Sequence, residues 1–107
     1  MKPKDPMWAL VMFDLPVDTK RCRREATRYR NYLLGLGFTR VQLSVYARYL
    51  LNADGITWLG ERVGIEIPDG GLVRLIAITD NQWVTSLSFK GKSLVEHENA
   101  PDQLTFF

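Results

Sequence analysis

At 107 residues and 12.3 kDa, with 46% apolar and 24% charged residues, the chain can build one core and only one, and its composition excludes wholesale disorder. The net charge of +2 hides an asymmetry: residues 1–50 hold ten Lys/Arg against four Asp/Glu, a balance of +6, while residues 51–107 hold four against eight, a balance of −4. One cysteine excludes an internal disulfide and any multi-cysteine zinc site, and no apolar run approaches the length of a membrane span.

Lys2 and Lys4 precede the apolar run Met7 to Phe13. That run is short for a secretory signal, and Asp14 cuts it before any small-residue cleavage site, so a cytoplasmic protein is expected. Residues 7–15 read as a buried strand closed by Pro16. Asp18 is the expected N-cap of a helix reaching about Leu34, with Cys22, Ala26, Tyr29, Leu33 and Leu36 as its inward stripe. Six of the fourteen basic residues lie between Lys20 and Arg30, with Glu25 as the single acid among them. Gly35 and Gly37 are expected to end this helix.

Thr39 to Leu51 alternates, with Val41, Leu43, Val45, Ala47 and Tyr49 on one face and Arg40, Gln42, Ser44, Tyr46 and Arg48 on the other. The pattern fits one long strand or two short ones joined near Ser44. A second helix is expected over 52–63, with Ile56, Leu59 and Val63 inward. Pro68-Asp69-Gly70-Gly71 is a turn, and Leu72 to Thr79 is an apolar strand ended by Asp80. Val84 to Phe89 fits a short extra strand before Gly91, and the remainder reads as a tail. Short connections and right-handed crossovers turn this β-α-β(β)-α-β order into an α+β, ferredoxin-like βαββαβ sandwich over residues 1–91, with an extra C-terminal strand and a tail over 92–107. Both helices cover one face of the sheet; the other needs a cover, which a second copy can supply as a homodimer.

The chemistry concentrates at the end of the first strand. Asp14 stands where a strand meets its loop, where a carboxylate either ligates Mg²⁺ or accepts backbone N–H bonds at the Leu15-Pro16 turn. One Asp alone is a poor metal site, and a two-fold axis that brings two copies of Asp14 together improves it. A metal so held can activate water and neutralise a scissile phosphate. Lys20, Arg21, Arg23, Arg24 and Arg28 form a basic helix suited to phosphates and not to reading bases, since Asn31 is the one amide at readout spacing. Tyr46 and Arg48 face outward, against a partner subunit in preference to stacked bases. Cys22 belongs to the apolar stripe, Asp80 to ordinary turn chemistry and His97 to a surface position. No serine or cysteine triad, phosphate-binding glycine loop or zinc spacing is present, so metal-assisted phosphodiester hydrolysis is the supported chemistry.

Four blocks in order carry a resemblance: Met7-Trp-Ala-Leu-Val-Met-Phe-Asp14-Leu-Pro16 with Thr19-Lys20; Tyr32-Leu-Leu-Gly-Leu-Gly-Phe38-Thr39; Gln42-Leu-Ser44-Val45-Tyr46; and Val73-Arg74-Leu-Ile-Ala-Ile-Thr79-Asp80-Asn81-Gln82. Together they resemble the CRISPR-associated protein two (Cas-two) family, in the version beside the type II effector. The closing Ala100-Pro-Asp-Gln-Leu-Thr-Phe-Phe107 is similar to tails of that group. The resemblance implies a ferredoxin-like homodimer whose late strand extends the partner's sheet, and it divides Thr39–Gln42 from Val45–Leu50. It implies a role in spacer acquisition, in which the dimer bridges the CRISPR-associated integrase (Cas-one) in a heterohexamer-type complex and holds duplex DNA. The family's strand-end aspartate maps onto Asp14 as a Mg²⁺ ligand for cleavage of RNA or duplex DNA in some members. The family's basic residues at the first helix map onto Lys20, Arg21, Arg23 and Arg24. This chain departs by carrying Asn81 where Lys is usual, and a less basic second helix with Glu61 and Glu66 beside Arg62. The alternatives are a stand-alone VapD-like toxin endoribonuclease and a ferredoxin-like regulatory domain for a small metabolite.

Overall fold

A computed structural model describes residues 5–101. Lys2, Lys4 and the stretch 102–107, which includes most of the closing tail motif, lie outside the described residues. The elements in chain order are β1 (Met7–Asp14), α1 (Lys20–Gly35), β2 (Thr39–Gln42), β3 (Val45–Leu50), a 3₁₀ turn (Ala53–Gly55), α2 (Ile56–Ile65), β4 (Leu72–Thr79), α3 (Asp80–Val84), β5 (Ser88–Lys90) and β6 (Ser93–Val95). Strands β1 to β4 form one antiparallel sheet in the order β2-β3-β1-β4, and β5 and β6 form a separate hairpin. The order interleaves two split β-α-β units and is compatible with the ferredoxin-like arrangement.

Strand β1 holds the centre because it is apolar on both faces, with Met7, Trp8, Ala9, Val11 and Phe13 all buried. Its odd-numbered residues face the helix layer, where Ala9, Val11 and Phe13 meet Ala26, Tyr29 and Leu33 of α1 and Leu59 and Val63 of α2. Tyr29 donates its hydroxyl to the Val63 carbonyl at 2.8 Å and meets Phe13 edge-on, locking the helices to each other and to the sheet. Helix α1 is capped by Thr19, not Asp18. Thr19 is the extended residue (φ −128°, ψ 164°), and its hydroxyl oxygen accepts from the Cys22 N–H at 3.0 Å, while Asp18 stands exposed one position earlier. The helix runs to Gly35, and Gly37 takes φ +89°, which turns the chain into β2.

Two expectations change at β3 and beyond β4. Tyr46 does not face outward. It is 3% exposed and packs on Phe13 at 5.5 Å, because Arg40↔Tyr46 and Val11↔Tyr46 pairing puts it on the helix side. The alternation in 45–50 is real, but both faces are used: Ala47 and Tyr49 pack in a second cluster with Trp8 and Trp83. Arg48 lies against Gly37 at the edge of the helix layer. The stretch after Thr79 is helix α3, not a turn, and Thr79 and Gln82 close a capping box around it. Trp83 of α3 stacks on Trp8 with ring centroids 5.0 Å apart, and its indole N–H donates to the Glu98 carbonyl at 2.7 Å. Ala100 joins this cluster, so residues 98–100 lie back over the sheet. The extra strand is Ser88–Lys90, later than the expected 84–89 because α3 takes up Val84.

Burial pushes the Tyr29 phenol up to about 12. The folded state then keeps a proton that the unfolded chain gives up near pH 10, so this contribution is complete below pH 10 and is lost as pH rises from 10 towards 12. The stability advantage of wild type over Tyr29→Phe, followed by denaturant melts, is expected to shrink across that window.

Candidate metal and nucleic-acid site

The register sorts the candidate residues into layers. Asp14 ends β1 opposite Leu72, and its even-numbered position puts it on the face away from α1 and α2, with Trp8, Leu10 and Met12. By register β2 adds Thr39 and Gln42, β3 adds Val45, Ala47 and Tyr49, and β4 adds Leu72, Arg74, Ile76 and Ile78; Val41, at the irregularity in β2, packs against the Trp8 cluster. Trp83 and Ala100 cover the Trp8 end. At the Asp14 end Leu72 is 70% exposed and Ile76 39%, so an apolar area around the carboxylate stays open.

Asp14 is exposed and has no hydrogen-bond or ion-pair partner among the described residues, which removes the reading in which it caps the Leu15-Pro16 turn. The donor chemistry suits Mg²⁺, which takes one or two carboxylates and keeps its waters. A single chain supplies one such carboxylate here: among the described residues no three His, Cys, Asp or Glu side chains gather as a metal-binding group.

Helix α1 lies on the opposite layer and carries the basic residues. Lys20, Arg23, Arg24 and Thr27 line one open groove. Arg23 also donates to the Val17 carbonyl at 3.1 Å, tying the helix to the loop that follows Asp14. The first turn of α1 has no acidic residue, although the positive end of a helix dipole favours one. Lys20 and Arg21 sit there instead. Cations at a helix start work against helix stability, so the fold itself does not call for them there.

Arg28, grouped with the basic helix in the sequence, also makes ion pairs of its own. Its guanidinium pairs with Glu25 at 2.7 Å and with Glu66 at 3.3 Å, joining α1 to the residue that caps α2. The hydrogen bond and charge of Arg28 hold the Glu25 carboxyl below its usual range, and Arg28 is held above its own by the hydrogen bond and charge of Glu25. Two carboxylates already neutralise it. Arg28→Gln is therefore expected to leave duplex affinity within about twofold of wild type in fluorescence anisotropy and to leave the salt slope unchanged. Arg21, Cys22, Glu25, Arg28 and Asp69 line a separate cleft of about 360 Å³. Cys22 is half-buried there, not sealed in the core.

The other titratable candidates are accounted for locally. Asp80 accepts from the Trp8 indole N–H at 2.8 Å, a structural bond. His97 places Nδ1 2.9 Å from the Glu98 carbonyl oxygen. Arg62 lies 5.2 Å from the Trp58 ring centroid. The structure thus brings Lys20, Arg23 and Arg24 together on α1, while the register turns Asp14 to the sheet face away from that helix. Sequence reasoning passed over Arg74, the one charge in an apolar strand; the alternation Leu72, Arg74, Ile76 was the available signal.

The sequence matches the family described as CRISPR associated protein Cas2 over residues 7–86. That span takes in the Asp14 strand end, the basic helix, both β-α-β units and α3. The chain belongs to the Cas2 family. It is similar to a CRISPR-associated endoribonuclease Cas2 of Paracidovorax avenae, 43% identical over 101 residues that cover 94% of each chain. A protein of the same name from Parvibaculum lavamentivorans is 39% identical over 94% of this chain and 100% of its own. Another, from Flavobacterium psychrophilum, is 34% identical over 94% of this chain and 88% of its own. Cas2 membership agrees with the sequence-level resemblance along nearly the whole length.

Proposed function

We propose that this chain is the duplex-holding subunit of a CRISPR spacer-acquisition complex. It works as a homodimer closed through the open sheet face, and it bridges copies of the CRISPR-associated integrase in a heterohexamer-type assembly. It acts in the cytoplasm; among the described residues no helix is long and apolar enough to cross a membrane. The observation that carries the reading is the two-sided layout: cations gathered along α1 on one layer, and an unpaired carboxylate on an uncovered apolar face of the other.

In this reading Lys20, Arg21, Arg23 and Arg24 contact phosphates, with the groove of Lys20, Arg23 and Arg24 as the main track, and binding is salt-sensitive with little sequence preference. Asp14 from each of two copies would hold Mg²⁺. The bound ion supplies an activated water and charge neutralisation for phosphodiester hydrolysis, on RNA or duplex DNA. Because Asp14 and α1 occupy opposite layers, retention of a duplex and cleavage are separable activities.

A second reading, a stand-alone VapD-like endoribonuclease, is supported by the endoribonuclease name that the relatives carry. Mixing the chain with an integrase of the same system and a labelled duplex separates the two. Co-elution of all three supports the bridge. Failure to associate, with RNA cleaved by this chain alone, supports the second reading.

A further inference from the structure

Asp14 and Arg74 are the charged side chains that the four strands place on the open sheet face; their neighbours there are Leu10, Met12, Val45, Leu72 and Ile76. Pairing of Asp14↔Leu72 and Met12↔Arg74 makes the two diagonal neighbours across β1 and β4. Both are exposed, and neither has a hydrogen-bond or ion-pair partner among the described residues. Each chain therefore presents an apolar surface that carries one free carboxylate and one free guanidinium.

Such a surface is self-complementary. In a two-fold interface each patch meets its own copy, so a contact from one residue to another is made twice. Closing two apolar faces over four unpaired charges costs heavily in desolvation, while closing them with the charges matched does not. We infer that Arg74 is the built-in counter-charge of the interface: its guanidinium pairs with Asp14 of the second copy, and the reverse pair forms across the axis. The inference rests on the homodimer reading and adds to it a residue and a consequence. Two copies of Asp14 brought together repel, and two copies of Arg74 cancel that repulsion without a divalent ion. The dimer then assembles with no metal, and a cation that enters later must displace a guanidinium from Asp14. Planar, bidentate geometry makes Arg the suited residue for this task.

The test is the dimer dissociation constant by sedimentation equilibrium, in chelator and in Mg²⁺, for wild type, Arg74→Gln, Arg74→Asp and the charge-swapped Asp14→Arg/Arg74→Asp pair. Thermal melts verify folding, and Arg74→Gln provides the milder change if the reversal fails to fold. Wild type is expected to dimerise equally in both buffers. Arg74→Gln should weaken the dimer by about 10-fold in chelator and Arg74→Asp by about 100-fold, with partial recovery in Mg²⁺. The swapped pair should return to within about 10-fold of wild type. A wild-type dimer that ignores Arg74→Asp, or a swap as weak as the single reversal, overturns the inference and leaves the homodimer standing. A wild-type monomer at every concentration overturns the homodimer reading itself.

Discussion

Replacing Lys20, Arg23 and Arg24 together with glutamate is expected to lower duplex affinity by about 100-fold or more and to leave the fold intact. All three side chains are exposed and line one groove, so no buried contact depends on them. The helix itself should not suffer, because acidic groups near an N-terminus complement the macrodipole that the native cations oppose. Fluorescence anisotropy at several salt concentrations gives the second half of the result. Each lost phosphate contact removes about one unit from the slope of log affinity against log salt. Arg28→Gln is the matched control on the same helix, since Arg28 is already held by Glu25 and Glu66. Undiminished affinity in the triple variant, with melts like wild type, moves the nucleic acid to another surface.

Asp14→Ala is expected to remove Mg²⁺-dependent cleavage, with a fall in rate of about 100-fold or more, while duplex affinity stays within about twofold. The separation follows from the layout: Asp14 faces away from the helix layer, and the cations of α1 lie within it. Labelled duplex DNA and single-stranded RNA, each with Mg²⁺ and with chelator, give cleavage and retention from the same gels. Cutting that survives in Asp14→Ala means that the hydrolysis belongs to another residue.

The elements whose signals are local were legible in the sequence. The turn at 68–71 and the strand Leu72–Thr79 lie where the pattern put them, since a turn with Gly70 at φ +78° leads into an apolar run that Arg74 alone interrupts. Helix α1 was readable from its stripe, with the cap displaced by one residue because Asp18 and Thr19 are both capable caps and tertiary geometry chose between them. Helix α3 was missed although Thr79-x-x-Gln82 is a capping signature; Asp80-Asn81 read as a turn because five residues are too few to show a helical period. Tyr46 was misplaced for a different reason. Alternation tells which residues share a face, and here both faces of β3 are covered, so parity alone could not say which one holds the main core.

The candidate site divides in the same way. Asp14 was visible as a carboxylate at a strand end, and the cluster of cations as a composition. That Arg28 is neutralised depends on Glu66, 38 positions away, and no local pattern reports it. That Arg74 shares a face with Asp14 depends on the register between β1 and β4, which is a property of the folded sheet.

The most direct measurement of the central claim is the native mass of the protein alone and with a blunt duplex, in chelator and at moderate salt. The account predicts a dimer that takes up one duplex without any metal, two copies of the chain to each DNA. A chain that stays single, or a dimer that leaves the duplex free, contradicts it.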